Sequence, residues 1–445
     1  MITASRENTT VRTPSPSERG GVRLLRVFEH QRVRIDEKIG DGIFTKNHFD
    51  ALERFFEKHN GKFYTLGHRS IQFTEHVGVI QVGNLTIEVL PKVDKNETDT
   101  GTWHNILLEM LKTCRLLMPE SVQHADLRLK ANSILELYFD LFLKELEYLI
   151  RSGLIKKYRK QEGNVNALKG ALVFSRHLQQ NLIHKERFYT RHAIYDPAHL
   201  IHQLLYECLW LIRNISTNTS LDDRVMRAFF DFPEMPRLNV RESHFEHLPQ
   251  SRKTAKYKSA LQIARMLLLN YHPDIRSGKE HVLALMFDMN QLWEEFIFRS
   301  LKRCAAETEF TVHAKKRHKY WFPDSGYGKR LEPDILITKG SDNIILDTKW
   351  KNVEESGAVG EDDLRQLFVY NLYFDASKAY LVYPGKRGDI QFTDGHFNRN
   401  SRKEKTITFD HRHLNGGIMN VDILSDRKLD KRVGDKILQR FYKAG

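Results

Sequence analysis

Cysteine is scarce. Three in 445 residues, Cys114, Cys208 and Cys304, lie too far apart for a disulfide framework or a zinc set. Two of them sit in apolar helical stretches, so all three are expected to be buried free thiols of a reducing compartment. Long apolar runs are missing as well. The longest span only a few residues, as at Met266-Leu267-Leu268-Leu269, which excludes a membrane-spanning helix. The N-terminus is rich in Ser, Thr and Arg and has no apolar stretch of the kind that directs export, so a cytoplasmic protein is expected. No G-x-x-x-x-G-K-[ST] occurs. Gly40-Asp41-Gly42 lacks the third glycine and following apolar helix of a dinucleotide fingerprint, so the chain by itself is not expected to bind or hydrolyse nucleotides. The absence of a G-x-S-x-G elbow removes one common serine-hydrolase arrangement. Histidines number 21 but are scattered. His199 and His202 stand one helical turn apart beside Leu200, Ile201, Leu204 and Leu205, with no third ligand, and read as a surface pair. His411 and His413 make no stronger case, and no internal repeat of fixed period is visible.

What is present describes a folded, basic chain. Hydrophobic residues make up 40% and aromatics 11%, enough for packed cores in two or three domains. The formal charge of +13 suits a polyanionic partner, although a generally basic soluble protein explains charge alone equally well. A local run, Lys315-Lys316-Arg317-His318-Lys319-Tyr320-Trp321 with Lys329-Arg330 beyond, offers a phosphate-gripping surface.

Periodicity divides the chain. Residues 1–22 form a polar tail expected to be disordered. Residues 23–95 are mostly strand-forming, with an amphipathic helix at Phe49–His59 and a hairpin turned by Gly83-Asn84 before Pro91 ends its second strand. Residues 102–270 are mainly helical. Apolar stripes run through Trp103, Ile106, Leu107, Met110 and Leu111, then Ile134, Leu135, Tyr138, Leu141 and Phe142, then Leu200 to Leu209. Asn164 to Ser175 is a candidate projecting loop or hairpin, and Pro233 to Lys258 a linker. Residues 281–445 form an α/β module.

Chemistry concentrates in that module. Two β-branched runs, Ile335-Leu336-Ile337 and Ile344-Ile345-Leu346, flank a hairpin turn with Gly340-Ser341 at its tip. This register opposes Asp334 to Asp347 on one face, roughly 5 Å apart at Cβ. Lys349, two residues on, points to the same face. Adjacent carboxylates repel unless protonated or bridged by a cation, so a divalent metal and an attacking water could meet a phosphodiester here. Upstream, Asn290 can cap a helix whose apolar stripe is Leu292, Trp293, Phe296 and Ile297, offering Glu294 as a further acid. Downstream, a helix from Leu364 to Leu372 places Gln366 and Tyr370 on one face. The strand Ala379 to Pro384 follows.

These stretches carry a resemblance. Phe287-Asp288-Met289-Asn290 ahead of Leu292-Trp293-Glu294, Pro333-Asp334 with Asp347-Thr348-Lys349, Gln366 with Tyr370, and Tyr383-Pro384 resemble the PD-(D/E)xK nuclease superfamily. With Gly78 to Gly83, Ile87 to Lys92, Asn166 to Gly170 and Phe174 to His177, the likeness extends from about residue 23 to 385 and is to the McrC family of McrBC-type modification-dependent restriction systems. It implies an α+β chain, with a β-rich N-terminal domain and helical middle region followed by an α/β restriction-endonuclease-like domain. It further implies a Mg2+-dependent DNA endonuclease in which Asp334, Asp347 and Glu294, helped by the Thr348 carbonyl, hold the ion. Lys349 would position or deprotonate the water, and Gln366 orient the site or touch DNA. Implied partners are an McrB-like AAA+ GTPase ring and modified double-stranded DNA. The N-terminal part would contact the ring and stimulate GTP hydrolysis, through segments near 65–92 or 156–176. Two other readings stay open: a regulatory subunit that activates the ring with little cleavage, and a stand-alone nuclease for branched or damaged DNA.

Overall fold

The computed structural model describes residues 23–59, 61–93, 97–116, 133–216, 218–249, 251–272, 281–324, 327–351, 359–385, 390–397, 408–409 and 412–442. The expected tail at 1–22 lies outside them. The chain forms two compact units, one containing Met118–Leu285 and the other combining Arg23–Leu117 with Met286–Gly445.

In the second unit, Arg23–Phe28 pairs in parallel with Leu85–Leu90, which pairs antiparallel with His76–Val82 about Gly83-Asn84 as its pattern predicts. Both hairpin strands are buried along their whole length. The helix Thr100–Thr113 belongs here, not with the helical middle region where its periodicity had placed it. Trp103, Ile106, Leu107, Met110 and Leu111 are buried, and the helix packs on Met289–Ala305. Periodicity reveals an apolar face but not the surface that face covers. Nor could it show that the N-terminal strands and the C-terminal module share one unit.

The C-terminal module is built on a six-stranded sheet ordered Thr311–Ala314, Ile335–Lys339, Asp342–Thr348, Ala376–Gly385, Asn415–Asp422, Gln391–His396. Its central strands are buried on both faces, which is why their sequences are continuous apolar runs. Lys339 opposes Asp342 across Gly340-Ser341, with Gly340 at φ +60° where a side chain would be strained. The helix Glu361–Tyr373 crosses over to the parallel strand Ala376–Gly385. Leu336, Ile345, Leu367, Ala379 and Leu381 lock that helix to the sheet. Each fully buried aliphatic of this kind contributes roughly 1.5–3 kcal/mol, so the helix is a rigid mount.

Residues beyond 390 supply two of the six strands and the helix Val433–Tyr442, which packs on Met289–Ala305. Asp288, not Asn290, caps Met289–Ala305. Its carboxylate accepts the N–H groups of Asn290 and Gln291 at 2.9 and 3.2 Å, while Asn290 Oδ1 accepts the Trp350 N–H at 3.1 Å.

The Met118–Leu285 unit packs the helices Ile134–Arg151, Leu200–Ile215, Thr219–Asp231 and Lys258–Leu269 together. A three-stranded sheet joins Ala171–Leu172, Phe188–Asp196 and Lys157–Val165, so the expected projecting segment is part of a sheet. Two expectations change. His202 is fully buried, not at the surface: Nδ1 lies 2.7 Å from the Pro197 carbonyl and Nε2 3.0 Å from Tyr257 Oη. Burial lowers its pKa to about 4, marking a neutral core histidine. The stretch expected as a linker is packed. Met235 and Tyr257 are buried, and Arg237 holds Glu207 with two bonds of 2.8 and 2.9 Å.

The three thiols are free, with Cys114 and Cys208 buried and Cys304 half-buried. Among the described residues no helix is long and apolar enough to cross a membrane.

Candidate active site

Asp334 stands one residue before the strand Ile335–Lys339, and the ladder that pairs Ile335 with Leu346 brings Asp334 opposite Asp347 at its next step. The expected register is therefore the observed one. Asp334 Oδ2 accepts the Thr348 N–H at 2.7 Å and the Thr348 hydroxyl at 2.8 Å, so its carboxylate is tied across the hairpin. Asp347 is only 2% exposed. Alternation puts Asp347 on the same face as Ile345, the face covered by Glu361–Tyr373.

Lys349 lies within that corner. Its Nζ is 2.9 Å from Asp347 Oδ2, 3.5 Å from Gln366 Oε1 and 3.8 Å from Asp363 Oδ1. Gln366 Nε2 donates to Tyr370 Oη at 2.7 Å, and that hydroxyl donates to the Glu332 carbonyl at 3.3 Å. The helix therefore holds the lysine from one side while the sheet offers the carboxylate from the other. Asp363 was missed in the sequence reading. It lies three positions before Gln366, spacing that shares a face as well as the four-residue step to Tyr370 does.

Glu294 reaches the same neighbourhood from Met289–Ala305, where Lys315 Nζ pairs with it at 3.1 Å. Lys315 had been read only as part of a basic run. Its backbone N–H also donates to the Asp334 carbonyl at 3.0 Å.

The electrostatics follow from crowding. Burial, then the negative charge of Asp334, pushes Asp347 up to about 6 although Lys349 opposes the shift. The same two causes push Glu294 up to about 7 against the pull of Lys315. Burial works against the Lys349 ammonium, yet Asp347 beside it holds its pKa above the ordinary lysine value. Among the described residues Asp347 Oδ2 is buried with no aligned hydrogen-bond donor, despite the nearby ammonium. An incompletely satisfied carboxylate oxygen beside a second carboxylate is an arrangement a hard divalent cation relieves, and an all-oxygen donor set suits Mg2+ better than zinc. Asp334 and Asp347 fit such an ion. Glu294 as placed serves Lys315, and among the described residues no three His, Cys, Asp or Glu side chains form a ready cage.

The strand end carrying Lys349 is fastened by its neighbours. The Val382 carbonyl accepts the Lys349 N–H at 3.0 Å and the Trp293 indole at 3.1 Å. The Trp350 indole donates at 2.8 Å to Glu29 Oε1, which also accepts the Lys92 N–H at 2.9 Å. Glu29 is 2% exposed, its Oε2 has no hydrogen-bond partner among the described residues, and burial raises its pKa to about 7 against those hydrogen bonds. Because the folded chain keeps this proton more tightly than the unfolded one, the contribution is complete below about pH 4.5 and lost as pH rises through 7. Glu29→Gln is neutral throughout. Denaturant unfolding should show the variant gaining on the wild type by on the order of 2–3 kcal/mol between pH 5 and pH 8.5. A difference independent of pH would mean the carboxyl is ionised in the folded chain.

Comparison with known proteins adds three findings. The family model described as McrBC 5-methylcytosine restriction system component matches residues 71–384. The type IV methyl-directed restriction enzyme EcoKMcrBC of Escherichia coli strain K12 is 20% identical over 262 residues, 57% of this chain and 75% of that protein. Among solved structures, the fold is similar to that in a refined half-complex from a tetradecameric assembly of Thermococcus gammatolerans McrB AAA+ hexamers with bound McrC. There the TM-score is 0.67 at 19% identity, covering 95% of this chain and 100% of that one. The matched interval 71–384 contains Glu294, Asp334, Asp347, Lys349 and Gln366.

Proposed function

The chain belongs to the family of McrBC 5-methylcytosine restriction system components and is McrC-like, and from that premise we propose that it is the DNA endonuclease subunit of a restriction system acting in anti-phage defence. The observation that carries the reading is the corner where Asp334 opposes Asp347 and Lys349 meets Asp347 at 2.9 Å under the helix bearing Gln366.

Asp334 and Asp347 would hold Mg2+, with the Thr348 carbonyl and a Glu294 released from Lys315 completing the protein's oxygens. When bound, the ion polarises phosphoryl oxygens and lowers the pKa of coordinated water. Lys349 positions the attacking water and offsets charge developing on the phosphate, work for a preoriented cation in a partly dry site. Asp363 and Gln366 keep its ammonium aimed there, and Tyr370 keeps Gln366 in place. Thr348 fixes the Asp334 carboxylate through two bonds, so little reorganisation is needed when DNA arrives.

The partner proposed is an McrB-like AAA+ ring, the kind of partner with which McrC is bound in the Thermococcus gammatolerans assembly, and the family resemblance implies that this chain stimulates its GTP hydrolysis. Of the two segments weighed for the contact, 65–92 offers no exposed apolar patch: His76–Val82 and Leu85–Leu90 are buried throughout, and its exposed residues are Thr65, Gly67, His68, Arg69 and Asn84. The Met118–Leu285 unit instead presents Tyr158, Phe174, Leu178, Leu182 and Ile183 to solvent around the 157–196 sheet, Leu182 at 71% and Ile183 at 87% exposure. Apolar side chains so displayed among basic residues support placing the partner contact on this surface.

Cleavage of modified duplex DNA is expected when this chain, an McrB-like GTPase, GTP and Mg2+ are combined, and none when Mg2+ is chelated. GTPase stimulation that persists without any cleavage would favour the regulatory reading.

A further inference from the structure

Beside the corner stands a two-stranded ribbon outside the six-stranded sheet. His318–Trp321 pairs antiparallel with Lys329–Leu331, with an irregularity between Lys319 and Trp321. All four residues of the first strand are exposed. Trp321 is 50% exposed, Phe322 68% and Tyr327 98%, an unusual display for large rings in a chain this charged. Lys316 and Lys319 precede these rings and Lys329 and Arg330 follow them, Lys329 opposite Trp321 across the ribbon, and the four make no ion pair among the described residues.

The ribbon is mounted on the candidate site. Lys315, at its root, bends at φ +49°, donates its N–H to the Asp334 carbonyl and pairs with Glu294. Arg317 Nε is 2.6 Å from Glu332 Oε2, two residues before Asp334. The His318 ring lies 5.8 Å from Tyr373 and 5.7 Å from Phe374, and Tyr320 meets Tyr373 edge-on at 5.8 Å, so the C-terminal end of the Gln366 helix supports it. The anchoring rings face the helix end, and three others are left with open faces.

We propose that this ribbon is a base-stacking platform that holds a locally unpaired DNA strand next to the scissile phosphate. The inference rests on the nuclease reading for the place of the scissile bond, but not for the binding itself. Unpaired cations interleaved with open rings match a single strand: the cations follow the phosphates, and each ring accepts a base face that a duplex keeps stacked. A protein partner would leave those cations without acidic counterparts of its own unless it were acidic along the same line. Duplex DNA would leave the rings idle.

Fluorescence anisotropy of the full chain in EDTA tests it, with a fluorescein-labelled single strand and a duplex of equal length as probes. The double variant Trp321→Ala, Tyr327→Ala should weaken single-strand binding by at least roughly tenfold while moving duplex binding by less than about twofold. Trp321→Phe should retain the wild-type affinity for the strand. Lys319→Ala with Lys329→Ala should weaken both probes and flatten the salt dependence by nearly two counterions. Because all these side chains are exposed, thermal unfolding checks that each variant stays folded. Wild-type single-strand affinity in the aromatic variant overturns the proposal, as does an equal loss on both probes. Intact DNA binding with lost ring stimulation overturns it too, in favour of a protein contact. The wild-type chain itself separates the two readings: strand binding in EDTA with no cleavage once Mg2+ and the GTPase partner are supplied would sink the nuclease assignment and leave the platform standing.

Discussion

Asp347→Ala and Lys349→Ala are each expected to lower DNA cleavage by at least about 10³-fold while GTPase stimulation persists. Asp347 is the buried member of the opposed pair, and burial, then the charge of Asp334, holds its pKa above the ordinary carboxylate range. Removing it takes away half of the proposed ion-holding pair. Removing Lys349 leaves the pair but deprives the developing phosphate charge of its cation. The two losses should not add, because both variants disable one step of the same reaction. Stability should change less than activity. Asp347→Ala relieves repulsion from Asp334, and in that variant the Lys349 side chain keeps Asp363 and Gln366 as partners. Cleavage at the wild-type rate by the purified double variant would reject the assignment.

Leu182→Asp combined with Ile183→Asp is expected to cut stimulation of the partner's GTP hydrolysis by more than about tenfold. Burying an unpaired carboxylate in an otherwise apolar contact costs several kcal/mol, and two do so at adjacent positions. Both side chains are largely solvent-exposed in the isolated chain, so folding is spared. Titrating the variant into an McrB-like GTPase and following phosphate release reads the effect. Stimulation equal to wild type would place the contact elsewhere and reopen the choice of surface.

The hairpin was legible because its determinants are local. A two-residue turn with glycine at its first position leaves one register for two β-branched runs, and that register carries the opposition of Asp334 and Asp347 with it. The helix bearing Gln366 and Tyr370 was legible for the same reason. Long-range pairings were not. Asn290 and Asp288 are both good caps by residue type, and the choice between them is made by Trp350, whose N–H occupies the Asn290 carbonyl oxygen. Glu29 reaches the strand end of Lys349 across most of the chain, through a tryptophan indole that no periodicity announces.

Asn415–Asp422 escaped notice because Gly416 and Gly417 weaken its strand character. The fold requires them: a Cβ at Gly416 would stand 2.9 Å from the Phe397 ring, and one at Gly417 2.6 Å from the Tyr380 ring. His202 misled in the opposite direction. Its neighbours in sequence are apolar, and the residues that satisfy its ring, Pro197 and Tyr257, belong to a bend and a distant short helix.

The most direct measurement is anomalous scattering from the chain crystallised with Mn2+ as a stand-in for magnesium. A peak between the carboxylates of Asp334 and Asp347, lost in Asp347→Asn, is the predicted result. An ion bound elsewhere, or none in crystals of protein whose cleavage Mn2+ supports, would contradict the claim that this corner carries the chemistry.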